Sequence, residues 1–207
     1  MRLVSNQIDS DIILDYWLGP ARYHADALKK TKQRWYRHGK RLDAPIKAQF
    51  GDLLKALSQS KSTNRDTVQL STAKVIILDQ FSRHIFRGRP QAWANDLQAQ
   101  QLSLAELNSA QCHHLTPSEQ LFLWHPFHHS EEISLQRLGL SLLEQLLTSI
   151  TPEWQRALQG FLPNWQSHAA IIAKFGRFPH RNNLLGRVSS KKELLYLDQQ
   201  RNHYGQD

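Results

Sequence analysis

Apolar residues recur along this chain at three- and four-residue intervals and almost nowhere in strict alternation. Ile8, Ile12, Ile13, Tyr16 and Trp17 share one face of a first predicted helix, which Asp9 or Ser10 can cap and Gly19-Pro20 stops. The Ala-, Leu- and Lys-rich stretch from Ala21 to His38 predicts a second, with Gly39 as its C-terminal stop. Asp43-Ala-Pro45 starts a third that carries Ile46, Phe50, Leu53, Leu54 and Leu57 inward, and the polar run Ser58 to Asn64 reads as a loop. From Thr67 to Phe86 the pattern is helical again. Here Val75-Ile-Ile-Leu78 makes the helix apolar nearly all round, which predicts a central, buried position, with a short strand as the local rival.

Gly88 and Pro90 end that segment, and Gln91 to Leu107 predicts the next helix, with Trp93, Leu97, Leu104 and Leu107 at its apolar positions. Thr116-Pro-Ser-Glu119 is a capping-box start: threonine caps, proline takes the first turn and glutamate reaches back. Pro126 interrupts the helix it opens, and a longer one follows from about Ser130 to Leu147. Thr151-Pro152 begins a short segment, Pro163 opens Asn164 to Phe175, and Ser190-Lys-Lys-Glu193 caps a last helix to about Asn202. Helix follows helix, so the class is all-α, and no fixed repeat period is evident. A length of 207 residues without a linker-like shift in composition fits a single domain over 1–207.

Composition changes this picture little. Hydrophobic residues at 40% and charged residues at 21% describe a globular protein, and runs such as Val75 to Leu78 are far too short to span a membrane. Met1 to Gln7 lacks an apolar signal core, and one cysteine, Cys112, leaves no internal disulfide, so the expected location is cytoplasmic. Charge is more informative. The net charge is +8, and the excess concentrates in Lys29 to Arg41 and in Arg156 to Lys192, two stretches without a single acidic residue. They point either to solvated faces or to anionic partners, nucleic acid among them.

Three polar stretches carry candidate chemistry. In Leu78-Asp-Gln-Phe-Ser-Arg-His-Ile-Phe-Arg87, Asp79 follows four aliphatic residues and stands one turn from Arg83, so it needs a partner to remain charged. His125-Pro-Phe-His-His-Ser-Glu-Glu132 crowds histidines and acids at a helix start; metal ligation, polar packing and acid/base chemistry are all open to it, although Pro126 breaks the register and no HExxH pattern occurs. Phe175-Gly-Arg-Phe-Pro-His-Arg-Asn-Asn-Leu-Leu-Gly-Arg187 is a Gly- and Pro-shaped basic loop in which Arg177, Arg181 and Arg187 offer forks to a carboxylate or phosphate beside His180. His168 lies on the apolar face of the helix leading into it. The six tryptophans fall mainly on apolar helical positions and read as core.

These three motifs, with Leu14-Asp-Tyr-Trp-Leu-Gly-Pro20 near the start, resemble the bacterial family known as domain of unknown function 924 over most of the chain. The resemblance implies a tetratricopeptide-like α-α superhelix of antiparallel helix pairs and no established activity. It marks Asp79, Gln80, Arg83 and Arg87, then His129, Glu131 and Gln136, then His168, Arg177, His180, Arg181, Asn182 and Arg187 as the family's recurring polar positions. The family pattern has proline and asparagine where this chain has Ser82 and His84, and no regular histidine at His125 or His128, so the histidine cluster reads as a local feature and its metal reading weakens.

The expected function is a concave pocket for a small anionic ligand. Arg83, Arg177, Arg181, Asn182, Arg187 and His168 are its binding residues, with Asp79, Gln80, Glu131 and Gln136 as orienting groups that hold the arginines. His129 and His180 are the candidate acid and base. No cofactor or metal is called for, and the same residue types serve an enzyme and a binder alike. Two other readings stand beside it: a helical scaffold for an acidic peptide or protein partner, and RNA or DNA binding through 29–41 and 156–192.

Overall fold

The computed structural model describes residues 8–60, 66–107 and 109–199, and among them all regular structure is helical. The strand considered for Val75 to Leu78 does not form, because those four side chains are buried on every side of a helix. That helix is the axis of the molecule: Val68–Val75 runs into a π-helical turn, Ile76–Phe81, and then into Ser82–Ile85. Ser10–Leu18 and Asp96–Glu106 pack against its first part, and Asp43–Gln59 against its second.

Local chemistry sets most boundaries. The Asp9 carboxylate accepts from the Asp11 and Ile12 backbone N–H groups and starts Ser10–Leu18. Thr116 and Glu119 exchange both bonds of a capping box ahead of Pro117–Leu123, and Ser190 and Glu193 do the same ahead of Lys191–Gln199. Gly176 takes a left-handed φ of 69° and closes Leu162–Phe175, which a residue with a Cβ does only under strain.

Two predicted helices come out differently. Between Gly19 and Leu42 the chain forms short 3₁₀ turns, the α-helix Leu28–Lys32 and a π-turn, Gln33–Arg37, instead of one helix over 21–38. Tertiary contacts win there: Trp35 stacks on Trp17 at 5.6 Å and donates to the Trp17 carbonyl, while Arg34 donates to the carbonyls of Tyr16 and Trp17. Pro90–Trp93 is a 3₁₀ turn, and the α-helix begins only at Asp96, so Leu97 faces outward at 64% exposure. Residues 61–64 of the predicted loop at 58–64 and the last residues of the helix predicted to Asn202 lie outside the described residues.

One core extends from Ile13 to Trp165, and a smaller cluster of Ile171, Ile172 and Phe178 sits under the 175–187 loop. Five tryptophans are buried, as their apolar spacing predicts. Gly139 in Ile133–Ser149 is closely packed: a Cβ there would lie 3.0 Å from Phe127 Cβ and 3.2 Å from the Trp165 ring. Gly139→Leu is therefore expected to destabilise the fold by about 1–3 kcal/mol through overpacking. Urea denaturation checks this, and an unchanged midpoint would show that the neighbouring helices yield.

Candidate functional site

The three polar stretches converge. The π-turn places Asp79 in the interior at 0% exposure, where an unpaired carboxylate would not remain ionised. Its two oxygens face His129 Nδ1 at 2.9 Å each, Arg83 Nη1 lies 3.0 Å from one, and the Gln80 amide donates to the other. Arg83 also grips Asp96 with two parallel bonds of 3.0 Å. Burial works against the Arg83 charge, yet Asp79 and Asp96 together raise its pKa above the ordinary guanidinium value.

His129 is a neutral imidazole. Burial first, then Arg83, holds its pKa well below that of a free histidine in spite of Asp79. With the carboxylate as acceptor the proton sits on Nδ1, which leaves the Nε2 lone pair outward; Nε2 has no hydrogen-bond partner among the described residues. Gln136 fixes this turn by donating to the carbonyls of His128 and Ser130.

The loop arginines divide. Arg187 meets Glu131 through both terminal nitrogens, at 2.7 and 3.0 Å, and Glu131 also accepts from the Phe178 N–H. Burial pushes the Glu131 carboxyl up, but these donors bring it below the usual range. Arg177 is bidentate to Glu193, which it holds well below the carboxylate range, and Asn182 donates to the same acid. Both arginines therefore clasp the loop. Asp79 takes no part in the loop's ion pairs: it lies on the central helix, where it holds Arg83 and faces His129 from the turn after His125–His128.

Arg181 is the exception. It is 6% exposed and stands between aromatic faces, 4.5 Å from the Phe178 centroid and 5.4 Å from that of Trp93. Its nearest carboxylate, Asp96, is 3.5 Å away and already engaged by Arg83, one terminal nitrogen donates to the His129 carbonyl, and Nε has no partner. Burial lowers its pKa to about 10, so it is desolvated and still charged at neutral pH.

Asp96, His129 and Arg181 line one open cavity of about 370 Å³ together with Glu131, Glu132, Trp93 and Leu97. His180 packs beside Phe178 and is not among the lining residues. His168 is buried, stacked on His128 at 3.9 Å, with Nδ1 against the His128 carbonyl. The histidines form a column with Trp165 instead of converging on one point, and among the described residues no group of three or more His, Cys, Asp or Glu can hold a metal ion. The residues where this chain departs from the family pattern have found other partners: Ser82 accepts from Asn95, and His84 joins Asp43 and Arg87. Elsewhere, Lys29, Lys32 and Arg156 bring the two basic stretches together along a cleft of about 610 Å³ that Asp26 and Glu153 also line.

Sequence reasoning missed Asp96 and Trp93, and read Glu193 only as a cap. Asp96 opens a helix after a turn and has the look of a dipole-stabilising acid, while its partners lie 13 and 85 residues away. Arg22 was missed as well; buried at 5%, it binds Asp11, Asp15 and Glu119 and ties the first helix to Pro117–Leu123.

The chain matches the family described as bacterial protein of unknown function (DUF924) over residues 13–201, and it belongs to that family. A solved structure of a protein of unknown function from Agrobacterium tumefaciens is similar at 24% sequence identity and a TM-score of 0.58, over 92% of this chain and 97% of that one. No curated protein matches the chain. No helix among the described residues is long and apolar enough to cross a membrane.

Proposed function

We propose that the cavity beneath the 175–187 loop binds a small anion, held by Arg181 and neighboured by His129 as a proton acceptor or donor. A frame of tetratricopeptide-like antiparallel helix pairs, which the family resemblance implies, fits a concave site of this kind. The observation that carries the reading is the incomplete neutralisation of Arg181: a buried guanidinium whose one carboxylate within 4 Å among the described residues, Asp96, is also held by Arg83 and whose Nε lacks an acceptor. Such a group gains about 1.5–3 kcal/mol from a charge-assisted bond to an incoming anion. The flanking aromatic faces hold the fork in place beforehand, so little side-chain entropy is lost on binding.

His129 gives the site its chemistry. Asp79 orients the ring as in other acid/base pairs, and an anion beside Arg181 offsets the positive field of Arg83 and Arg181, which raises the imidazole pKa against the lowering effect of burial. Arg177 and Arg187 act as positioning residues that shape the loop, and His168 and His180 lie outside the binding contacts.

The test is titration of the purified protein with acetate, followed by NMR of the Arg181 side-chain Nε–H and the His129 ring. Acetate is expected to shift both signals, and Arg181→Gln to weaken its affinity at least tenfold while circular dichroism remains that of the parent. Equal affinity in Arg181→Gln, or no shift up to acetate concentrations of about 0.1 M, would reject the reading; a loss of 1.4 kcal/mol is tenfold in affinity.

A further inference from the structure

Resting on that reading of Arg181, we propose that the ligand is an amphipathic monocarboxylate, with its head on Arg181 and an apolar chain laid along Trp93, Leu97 and Leu185. The cavity that holds Arg181 also has an apolar wall of Pro90, Trp93, Leu97 and Leu185. Two of these are among the few large hydrophobic side chains left in water, Leu97 at 64% exposure and Leu185 at 36%. They come from different segments, Leu97 from the first turn of Asp96–Glu106 and Leu185 from the basic loop, and line the same cavity. A polar floor with apolar walls is the usual form of a site for a small organic ligand, and the volume of about 370 Å³ lies in the range of such sites.

Charge narrows the head group. Among the described residues Arg181 is the one arginine or lysine lining the cavity, and its unpartnered Nε suits one planar carboxylate. Glu131 and Glu132 line it too, the first matched by Arg187 and the second exposed, with no ion pair among the described residues. A dianionic phosphate would meet their field, whereas a monocarboxylate brings one charge to one guanidinium.

The experiment compares octanoate, acetate and 1-octanol on the full-length protein, read from the Arg181 Nε–H and the methyl signals of Leu97 and Leu185. Octanoate is expected to bind at least tenfold more tightly than acetate, since each methylene against an apolar wall tightens binding by up to about fourfold. Octanol, which lacks the charge, should bind at least tenfold more weakly than octanoate. Leu97→Asn, an uncharged change at an exposed position that leaves the core untouched, should cost octanoate at least tenfold and leave acetate within twofold. Octanoate and acetate of equal affinity would overturn the chain-binding proposal and leave the anion site standing. Octanoate binding that is indifferent to Arg181→Gln would overturn both.

Discussion

Acidification from pH 6.5 to 4 is expected to strip the folded state of about 3 kcal/mol through His168 alone, and of more through its neighbours. The folded pKa of His168 is lowered from 6.5 to about 4 by burial, and each unit of difference is worth about 1.4 kcal/mol. The sign follows from proton counting. A histidine kept neutral in the fold takes up its proton only on unfolding, so stability is complete above the unfolded pKa of 6.5 and declines as pH falls toward the folded value. His125, His128 and His129 are lowered in the same direction, with burial the leading cause for each. All four lie in or beside one stacked column, where protonating one ring also disfavours the next. Asp43, Glu131 and Glu193, whose carboxyls are held low by arginines, add to the loss at the acid end, while Asp96, held up by burial, opposes it. Urea denaturation between pH 7.5 and 4.5 should show stability falling with a slope of more than one proton, and His168→Phe should reduce that slope by about one. A flat profile between pH 7 and 5 would mean that these rings titrate normally.

The second large effect is at Asp79. Asp79→Ala is expected to cost about 3–5 kcal/mol, the range for removing one member of a buried charge network. The loss strands three donors at once: the His129 Nδ1–H, the Gln80 amide and the share of Arg83 not taken by Asp96. Asp79→Asn keeps the shape and one acceptor, so it should cost less in stability while freeing the tautomer of His129, visible as a changed ring signal by NMR. If Asp79→Ala loses under about 1 kcal/mol in urea, Asp96 alone suffices for Arg83 and the network is not what anchors the central helix.

Much of the fold was legible because it is written locally. Thr116 and Ser190 announce helix starts through residues three positions away, and Ile46, Phe50, Leu54 and Leu57 announce a buried face through spacing alone. The 19–42 segment was not legible: Trp35 and Arg34 satisfy the end of a different helix, and no periodicity in their own segment records it. The candidate site follows the same division. That Asp79 needed a partner was evident from the aliphatic run before it, and that the three polar stretches belonged together came from the family resemblance. Which carboxylate would meet which arginine was not evident. Glu193 satisfied its cap in the reading and had no apparent need of Arg177, and Asp96 reaches Arg181 only because two distant segments are folded against each other.

The π-turn at Ile76–Phe81 has a consequence for how this chain can change over generations. Such turns amount to one extra residue let into an otherwise regular helix, and each residue of an α-helix turns the chain by about 100°. Losing one residue anywhere in that turn would rewind the segment and swing Asp79 away from His129 while leaving nearly every side chain in the protein unaltered. A one-residue deletion here therefore breaks the Asp79–His129 contact even though it removes neither side chain, and the length of this segment matters to that contact as much as its residues do.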